Sequence, residues 1–188
     1  MISGIQLTDG SVLVRPLQTS DIMPSYEAVR ESVVEISPWM DWCHPDYSME
    51  EAANWVNSCL KAWTEGTEYQ FAITDVKDGG FLGGCGLNGI DPQHRWANLG
   101  YWVRSRQTRR GVATAATLLV ARFGFNELKL NRIKIVVAVR NIASLRVAER
   151  VGATREGMLR SRLVAHGQVH DAVMFSLIRG DLENLEED

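Results

Sequence analysis

The chain has 188 residues, a formal net charge of -3, 45% apolar residues and 23% charged ones. That length fits one domain and that balance supplies a core, which sets aside both a disordered chain and a string of domains. An acidic total without a basic stripe argues against a general nucleic-acid binder, and no apolar run nears the roughly 20 residues that span a bilayer.

Val12-Leu13-Val14-Arg15 alternates into Pro16 as a first strand. Thr19 and Ser20 offer an N-cap for a helix over Asp21–Glu31. Val33–Tyr47 reads as irregular and aromatic-rich, with Pro38, Trp39, Trp42, His44 and Pro45. Ser48 with Glu51 three residues on forms a capping box. The helix it opens carries Ala52, Trp55, Val56, Cys59 and Trp63 on one face, so Trp55 and Trp63 are expected in the core.

The period then changes to two. Tyr69–Thr74 and Phe81–Ile90, the latter with four glycines, flank an Asp78-Gly79-Gly80 turn, and Ala97–Val103 follows as a third strand. The polar, Arg-rich stretch Arg104–Gly111 feeds a helix from Val112 to about Leu128. Arg132–Val139 is densely β-branched and is expected to be buried on both faces. Asn141 precedes a short helix, Ile142–Val151, that stops at Gly152 as a C-cap. Strands over Ala153–Val164 and Gln168–Ile178 close the chain around a turn at Gly167.

The three cysteines, Cys43, Cys59 and Cys85, are odd in number, widely spaced and free of any CxxC pair. They fit neither a disulfide framework nor a zinc site, so no metal is expected and a reducing cytoplasm is. Met1–Gln6 lacks the basic and then apolar pattern of a secretory leader. Asp181, Glu183, Glu186, Glu187 and Asp188 read as a solvated acidic tail on a single domain over residues 1–188.

The stretch Trp102–Thr114 carries the chemistry. A strand ends, a basic loop follows, and a helix opens at a glycine and small residues. A helix start presents unpaired amides and the positive end of the helix dipole. Gly111 and Ala113 let a bulky anion approach that backbone, which suits a phosphate or pyrophosphate. On spacing alone, a surface turn with solvated arginines fits equally well. Gly-Lys-Ser/Thr and GxGxxG are both missing, so neither a Walker loop nor a dinucleotide fingerprint is present.

The chain resembles the GNAT acetyltransferase superfamily, and within it the RimJ/RimL-like branch that acetylates protein N-termini. Thr108-Arg109-Arg110-Gly111-Val112-Ala113 is similar to the family's acyl-CoA pyrophosphate loop, with Thr108 where Gln or Arg is usual. Leu99–Val103 resembles its splayed central strand. Asn141-Ile142-Ala143-Ser144, then Gly152-Ala153 and Glu156-Gly157, resembles its downstream block. Asp9-Gly10, Arg15-Pro16-Leu17 and Asp21 look like its N-terminal strand and helix.

The resemblance implies an α/β fold: a mixed, mostly antiparallel sheet of seven strands with helices on both faces. A splay between the strands ending near Val103 and Val139 would admit acetyl-CoA, the co-substrate. Amides over Arg109, Arg110, Gly111, Val112, Ala113 and Thr114 would hold its pyrophosphate, with Arg109 and Arg110 adding charge. Trp102 and Val103 would pair with the pantetheine, an amide near Val103 would face the developing oxyanion, and Asn141 would touch the cofactor arm. Ser144 would protonate the departing thiolate as general acid; a helix-start Ser bonding its local backbone is the alternative role.

No general base is evident. Some relatives place a Glu in the strand after the Glu-Gly pair, where Arg160-Ser161-Arg162-Leu163-Val164 stands here, and Glu156 itself suits a surface strand role equally. His44, His94, His166 and His170 have suitable chemistry but suit loop or strand roles equally, and a water relay remains open. Trp39, Trp42 and Tyr47 are candidates to line an acceptor pocket, and packing onto the core is the alternative role for the Trp residues. The implied activity is N-acetyl transfer to a protein N-terminal α-amino group, with a small-molecule amine or a non-catalytic CoA-binding module as alternatives. The expected state is a monomer or homodimer.

Overall fold

The computed structural model describes residues 4–183. Residues 184–188 of the expected acidic tail lie outside them, and Asp181 is drawn in, its carboxylate accepting the Ile178 amide at 2.9 Å. The elements run β1 (Leu7–Thr8), β2 (Val12–Pro16), α1 (Ile22–Ile36), α2 (Met49–Glu65), β3 (Tyr69–Asp75), β4 (Phe81–Asp91) and β5 (Trp96–Val103). Then follow α3 (Val112–Asn126), β6 (Arg132–Ala138), α4 (Ile142–Arg150), β7 (Thr154–Ala165), β8 (Gln168–Leu177) and α5 (Arg179–Glu183).

The strands form one eight-stranded sheet in the order β1-β2-β3-β4-β5-β6-β8-β7. All neighbours are antiparallel except β5 and β6. The eighth strand is β1, a two-residue edge pairing Leu7 with Val14 and Thr8 with Leu13, too short to leave a periodic signal in sequence.

Side-chain alternation along the strands places helices on both faces. Phe71 and Ile73 of β3 and Leu99 of β5 pack on one face with Ala116, Leu119, Val120 and Phe123 of α3. Ala72 and Phe81 turn to the other face, where Ala28 of α1 and Val56 and Cys59 of α2 cover them. Burying the Phe, Ile, Leu and Val side chains among these contributes about 1.5–3 kcal/mol each before entropy is subtracted.

Several local expectations change. Helix α1 runs on to Ile36, because Val29 and Ile36 bury against Cys43 and Tyr47 of the following loop. Thr19 and Ser20 sit inside a 3₁₀ turn, Thr19–Asp21, rather than capping it. Asp21 accepts the Gln18 amide at 2.7 Å and both terminal nitrogens of Arg15 at 2.7 Å. Strand β6 alternates between buried and half-buried rather than being buried on both faces: Lys134 on its open side lies over the Trp96 ring at 3.2 Å. The capping box at Ser48 and Glu51 is present, and Gly152 follows α4 with φ +75°.

Candidate active site

Strands β5 and β6 pair only through Trp96–Arg132, Ala97–Ile133 and Asn98–Lys134. Beyond Asn98 the two diverge. The edge of β5 from Leu99 to Val103 is bonded to β4 on one side and opens a cleft on the other. Main-chain groups on such an edge offer pairing to an extended amide chain.

The loop after β5 is tied to α1. The Arg104 amide donates to Leu82 O at 2.8 Å, extending the β4 ladder. The Ser105 amide donates to the buried Ser32 Oγ at 2.9 Å, and the Ser105 hydroxyl to Glu35 at 2.8 Å. Arg104 Nε and Arg106 Nε each stand 2.7 Å from a Glu31 carboxylate oxygen. With its first half fixed, the loop turns sharply: Arg109 has φ +63° and Gly111 φ +80°. Successive amides around left-handed residues form an anion-binding concavity, and here it opens onto the start of α3. The first helical bond runs from Ala115 N to Gly111 O, so the amides of Val112, Ala113 and Thr114 precede the ladder. Thr108, Arg109, Arg110 and Gly111 are exposed. Arg110 bonds Gln107 Oε1 at 3.1 Å and Thr108 Oγ1 bonds Ser105 O at 2.9 Å, so Thr108 supports the loop instead of reaching outward.

Across the cleft, Asn141 caps α4 by accepting the Ser144 amide at 3.1 Å, which leaves its side-chain NH2 available. Ser144 faces β5. Its hydroxyl lies 2.9 Å from the Tyr101 hydroxyl, which also reaches Ser144 O at 3.1 Å. Burial pushes the Tyr101 phenol up to about 12, so it stays protonated as a donor. The sequence reading missed Tyr101. Its alternation with Leu99 and Val103 on one face of β5 was a usable signal.

The opposite face of β5 carries Trp102, whose indole lies on Gly84. A Cβ there would stand 2.8 Å from Trp102 Nε1, so the glycine run in β4 makes room for the ring. Above it is a cavity of about 390 Å³ lined by Val29, Asp41, Trp42, His44, Tyr47, Glu51, Asn54, Trp55 and Trp102. Trp42 and Trp55 meet Trp102 edge-on at 5.8 and 6.5 Å between ring centres. The cavity therefore abuts the strand end that forms the cleft.

A family model described as acetyltransferase (GNAT) domain matches residues 11–154. The chain belongs to the GNAT acetyltransferases. It is an N-acetyltransferase by family. It is 38% identical over 106 residues to "Putative ribosomal N-acetyltransferase YdaF" of Bacillus subtilis (strain 168), a match spanning 56% of this chain and 58% of that protein. Among solved structures it resembles RimL, a ribosomal L7/L12 alpha-N-protein acetyltransferase in complex with coenzyme A. That likeness has a TM-score of 0.86 and 21% identity, covering 93% of this chain and 98% of that one. It also resembles the microcin C7 self-immunity acetyltransferase MccE in complex with acetyl-CoA and AMP, at a TM-score of 0.85 and 19% identity over 95% and 97% of the two chains. At those identities the structural likenesses establish the fold.

Within this GNAT site the other candidates sort by position. Trp42 lines the cavity; Trp39 does not, and instead packs on His170 at 6.3 Å. Trp55 packs against the core beneath α1 and α2 as expected and is a cavity wall as well, and Trp63 packs on Phe71 and Phe123 as expected. Trp102 presents its side chain to the cavity, so only its main chain faces the cleft. Glu156 is held by Arg132 and by Ser176 at 2.8 Å, at the closed end of the cleft. His94 sits in the turn before β5 at that same end. His166 pins the β7–β8 turn to the α1–α2 loop: its amide donates to Asp41 at 2.7 Å and its Nε2 stands 3.0 Å from Cys43 O. His44 is the one histidine among the cavity's lining residues.

All three thiols are buried. Burial raises Cys43 to about 11, Cys59 to about 12 and Cys85 further still, so each stays a poor nucleophile. Among the described residues, no group of three or more His, Cys, Asp or Glu could hold a metal ion, and no helix is long and apolar enough to cross a membrane.

Proposed function

We propose that this chain transfers the acetyl group of acetyl-CoA directly to the α-amino group at a protein's N-terminus. The observation that carries the reading is the divergence of β5 from β6 beyond Asn98, with the left-handed Arg109–Gly111 loop at its open end. An open strand edge suits the two pantetheine amides, and the amide concavity suits the pyrophosphate, so the residues present fit coenzyme A. When bound, acetyl-CoA supplies the activated acetyl thioester.

The chain's own residues supply position and protons. The amides from Arg109 to Thr114 hold the diphosphate, and exposed Arg109 and Arg110 add charge. The Leu99–Val103 edge orients the cofactor arm, and the Asn141 side-chain NH2 stands beside it. Ser144 gives its hydroxyl proton toward the departing sulfur, and the Tyr101 hydroxyl, 2.9 Å from Ser144 Oγ, stays protonated and orients it. Holding the reacting groups in register supplies much of the rate enhancement.

The acceptor enters from the α1–α2 face. A cavity of about 390 Å³ takes the first residue or two of a peptide, and its aromatic walls attract a protonated amine. The name borne by the YdaF relative supports a ribosomal-protein acceptor. This reading makes the protein cytoplasmic and a single domain. The test is thiol release from acetyl-CoA with purified protein against peptides of varied N-terminal residue and small amines. Preferential transfer to peptide N-termini supports the acceptor. Transfer to small amines alone would replace it with a small-molecule substrate. Tight CoA binding without transfer to any acceptor would overturn the catalytic reading.

A further inference from the structure

We propose that His44 is the general base that accepts the acceptor amine's proton and that Glu51 is the residue that positions it. The proposal rests on the acetyl-transfer reading above. The imidazole lines the cavity that ends on Trp102, the strand end where the acetyl group is delivered. His44 Nε2 stands 2.8 Å from Glu51 Oε1. A carboxylate only accepts, so in the neutral ring the bridging Nε2 carries the proton and Nδ1 keeps its lone pair. A carboxylate behind an imidazole fixes its tautomer and stabilises the imidazolium that forms.

Glu51 is itself held in place. Its Oε2 accepts the Ser48 amide at 2.8 Å and the Ser48 hydroxyl at 2.7 Å. The capping box that starts α2 therefore serves two ends: one carboxylate oxygen closes the helix and the other aims the histidine. Hydrogen bonds from Ser48, then from His44, hold that carboxyl down to about 2, so it is ionised throughout the working range.

The neighbouring charged and titratable groups come from each packed element. Asp41 and Tyr47 belong to the same loop, and Tyr47 meets the His44 ring edge-on at 6.2 Å. Arg30 of α1 is spent on Pro45 O. Asp41 accepts the His166 amide from the β7–β8 turn. Cys43, next in sequence, is protonated. Glu51 is thus the carboxylate in direct contact with the ring.

An amine arrives at neutral pH largely as an ammonium ion, and the indole walls favour that form. It loses one proton to His44 Nδ1 and becomes nucleophilic. Its lone pair forms the N–C bond as the C–S bond breaks. His44 returns the first proton to solvent and takes the nitrogen's second as the amide forms, while Ser144 gives its proton to the thiolate and regains one from solvent, so one proton is released per turnover.

The experiment uses the full chain, acetyl-CoA and the most active peptide from the acceptor panel. Log(kcat/KM) is followed from acid to alkaline pH for wild type, His44→Gln, His44→Asn and Glu51→Gln, with CoA affinity measured by calorimetry. Expected are a loss of about 10²-fold in kcat for both His44 variants, removal of the acid limb of the profile, and unchanged CoA affinity. Glu51→Gln loses less than either His44 variant, in kcat and with the peptide KM kept, because a neutral amide can still hold the ring but stabilises the imidazolium that forms less than a carboxylate does. Free imidazole restores part of the rate to His44→Ala, a recovery that a packing defect would not show. A wild-type rate and acid limb in either His44 variant would overturn the assignment while leaving acetyl transfer intact. A wild type that binds CoA and acetylates nothing would instead sink the parent reading, and this one with it.

Discussion

The two sides of strand β5 are built from different materials. Facing α3, the proposed cofactor site is main chain: the free edge from Leu99 to Val103, two left-handed residues, and the amides that open α3. Facing α1 and α2, the proposed acceptor site is side chain, with indoles from the loop, from α2 and from β5 and a His–Glu pair spanning the loop and α2. A main-chain site tolerates most substitutions and changes only where a residue's conformation is dictated, as at Gly111. A side-chain site can be rewritten position by position. The first side should therefore hold cofactor affinity constant while the second sets the acceptor.

The strongest way to break that contrast is Gly111→Glu. The position has φ +80°, which costs a non-glycine residue about 1–2 kcal/mol, and the new carboxylate would face a diphosphate. CoA affinity measured by calorimetry is expected to fall by at least about 10²-fold, or ~2.7 kcal/mol. Arg109→Ala should cost much less and mainly change the salt dependence, since an exposed charge is screened. Undiminished CoA affinity in Gly111→Glu would place the diphosphate elsewhere.

Next in size is the proposed proton donor at the cleft, Ser144. Ser144→Ala is expected to lower kcat by about 10²-fold with CoA affinity kept, and Tyr101→Phe to lower it less. The two hydroxyls are 2.9 Å apart, so the double variant should lose little more than Ser144→Ala alone. Additive losses would show that they act separately, and an unchanged kcat in Ser144→Ala would leave it a helix-start residue.

The same contrast explains what could be read from sequence. The proposed cofactor side is local: one strand, one loop and one helix start, contiguous from Leu99 to Thr114, with a glycine at φ +80°. Among the described residues, alternation, helical spacing and cap signals located β2–β8 and α1–α4, and missed the two-residue β1 and the five-residue α5. The acceptor side depends on contacts between distant segments. Helical spacing puts Trp55 on the face with Val56 and Cys59, but spacing cannot show that the sheet beneath it is cut away by glycines and leaves a cavity. Trp39 and Trp42 look alike in sequence, but in the fold Trp39 packs on His170 of β8 while Trp42 meets Trp102 at the cavity. Glu51 was legible as a cap, but its second bond to His44 lies across a loop that carries no periodic signal.

A smaller change tests whether the two sides are independent. Gly84→Ala puts a methyl group 2.8 Å from Trp102 Nε1 and must push the indole toward the cavity. Acceptor KM should rise about tenfold, the scale of one methylene in a pocket. CoA affinity should hold, because β5 keeps its main-chain edge. If CoA affinity fell in step with KM, the strand would be transmitting the displacement, and the two sites would have to be treated as one.

The smallest effect concerns folding. The Glu51 carboxyl is held at about 2 in the native protein, below its ordinary 4.5, first by the Ser48 hydroxyl and then by His44. A carboxyl with a depressed native pKa adds stability that is fully present above its unfolded value and is lost as pH falls toward the native one. Glu51→Gln should therefore melt slightly below wild type at neutral pH. The gap should close as the pH drops from about 4.5 toward 2, which thermal melts across that window would show. A gap independent of pH would mean that the residue acts only through the shape of the helix start. The carboxylate proposed to aim His44 would then have no charge-dependent hold on the loop, and the acceptor side would lose the element that distinguishes it from a merely aromatic cavity.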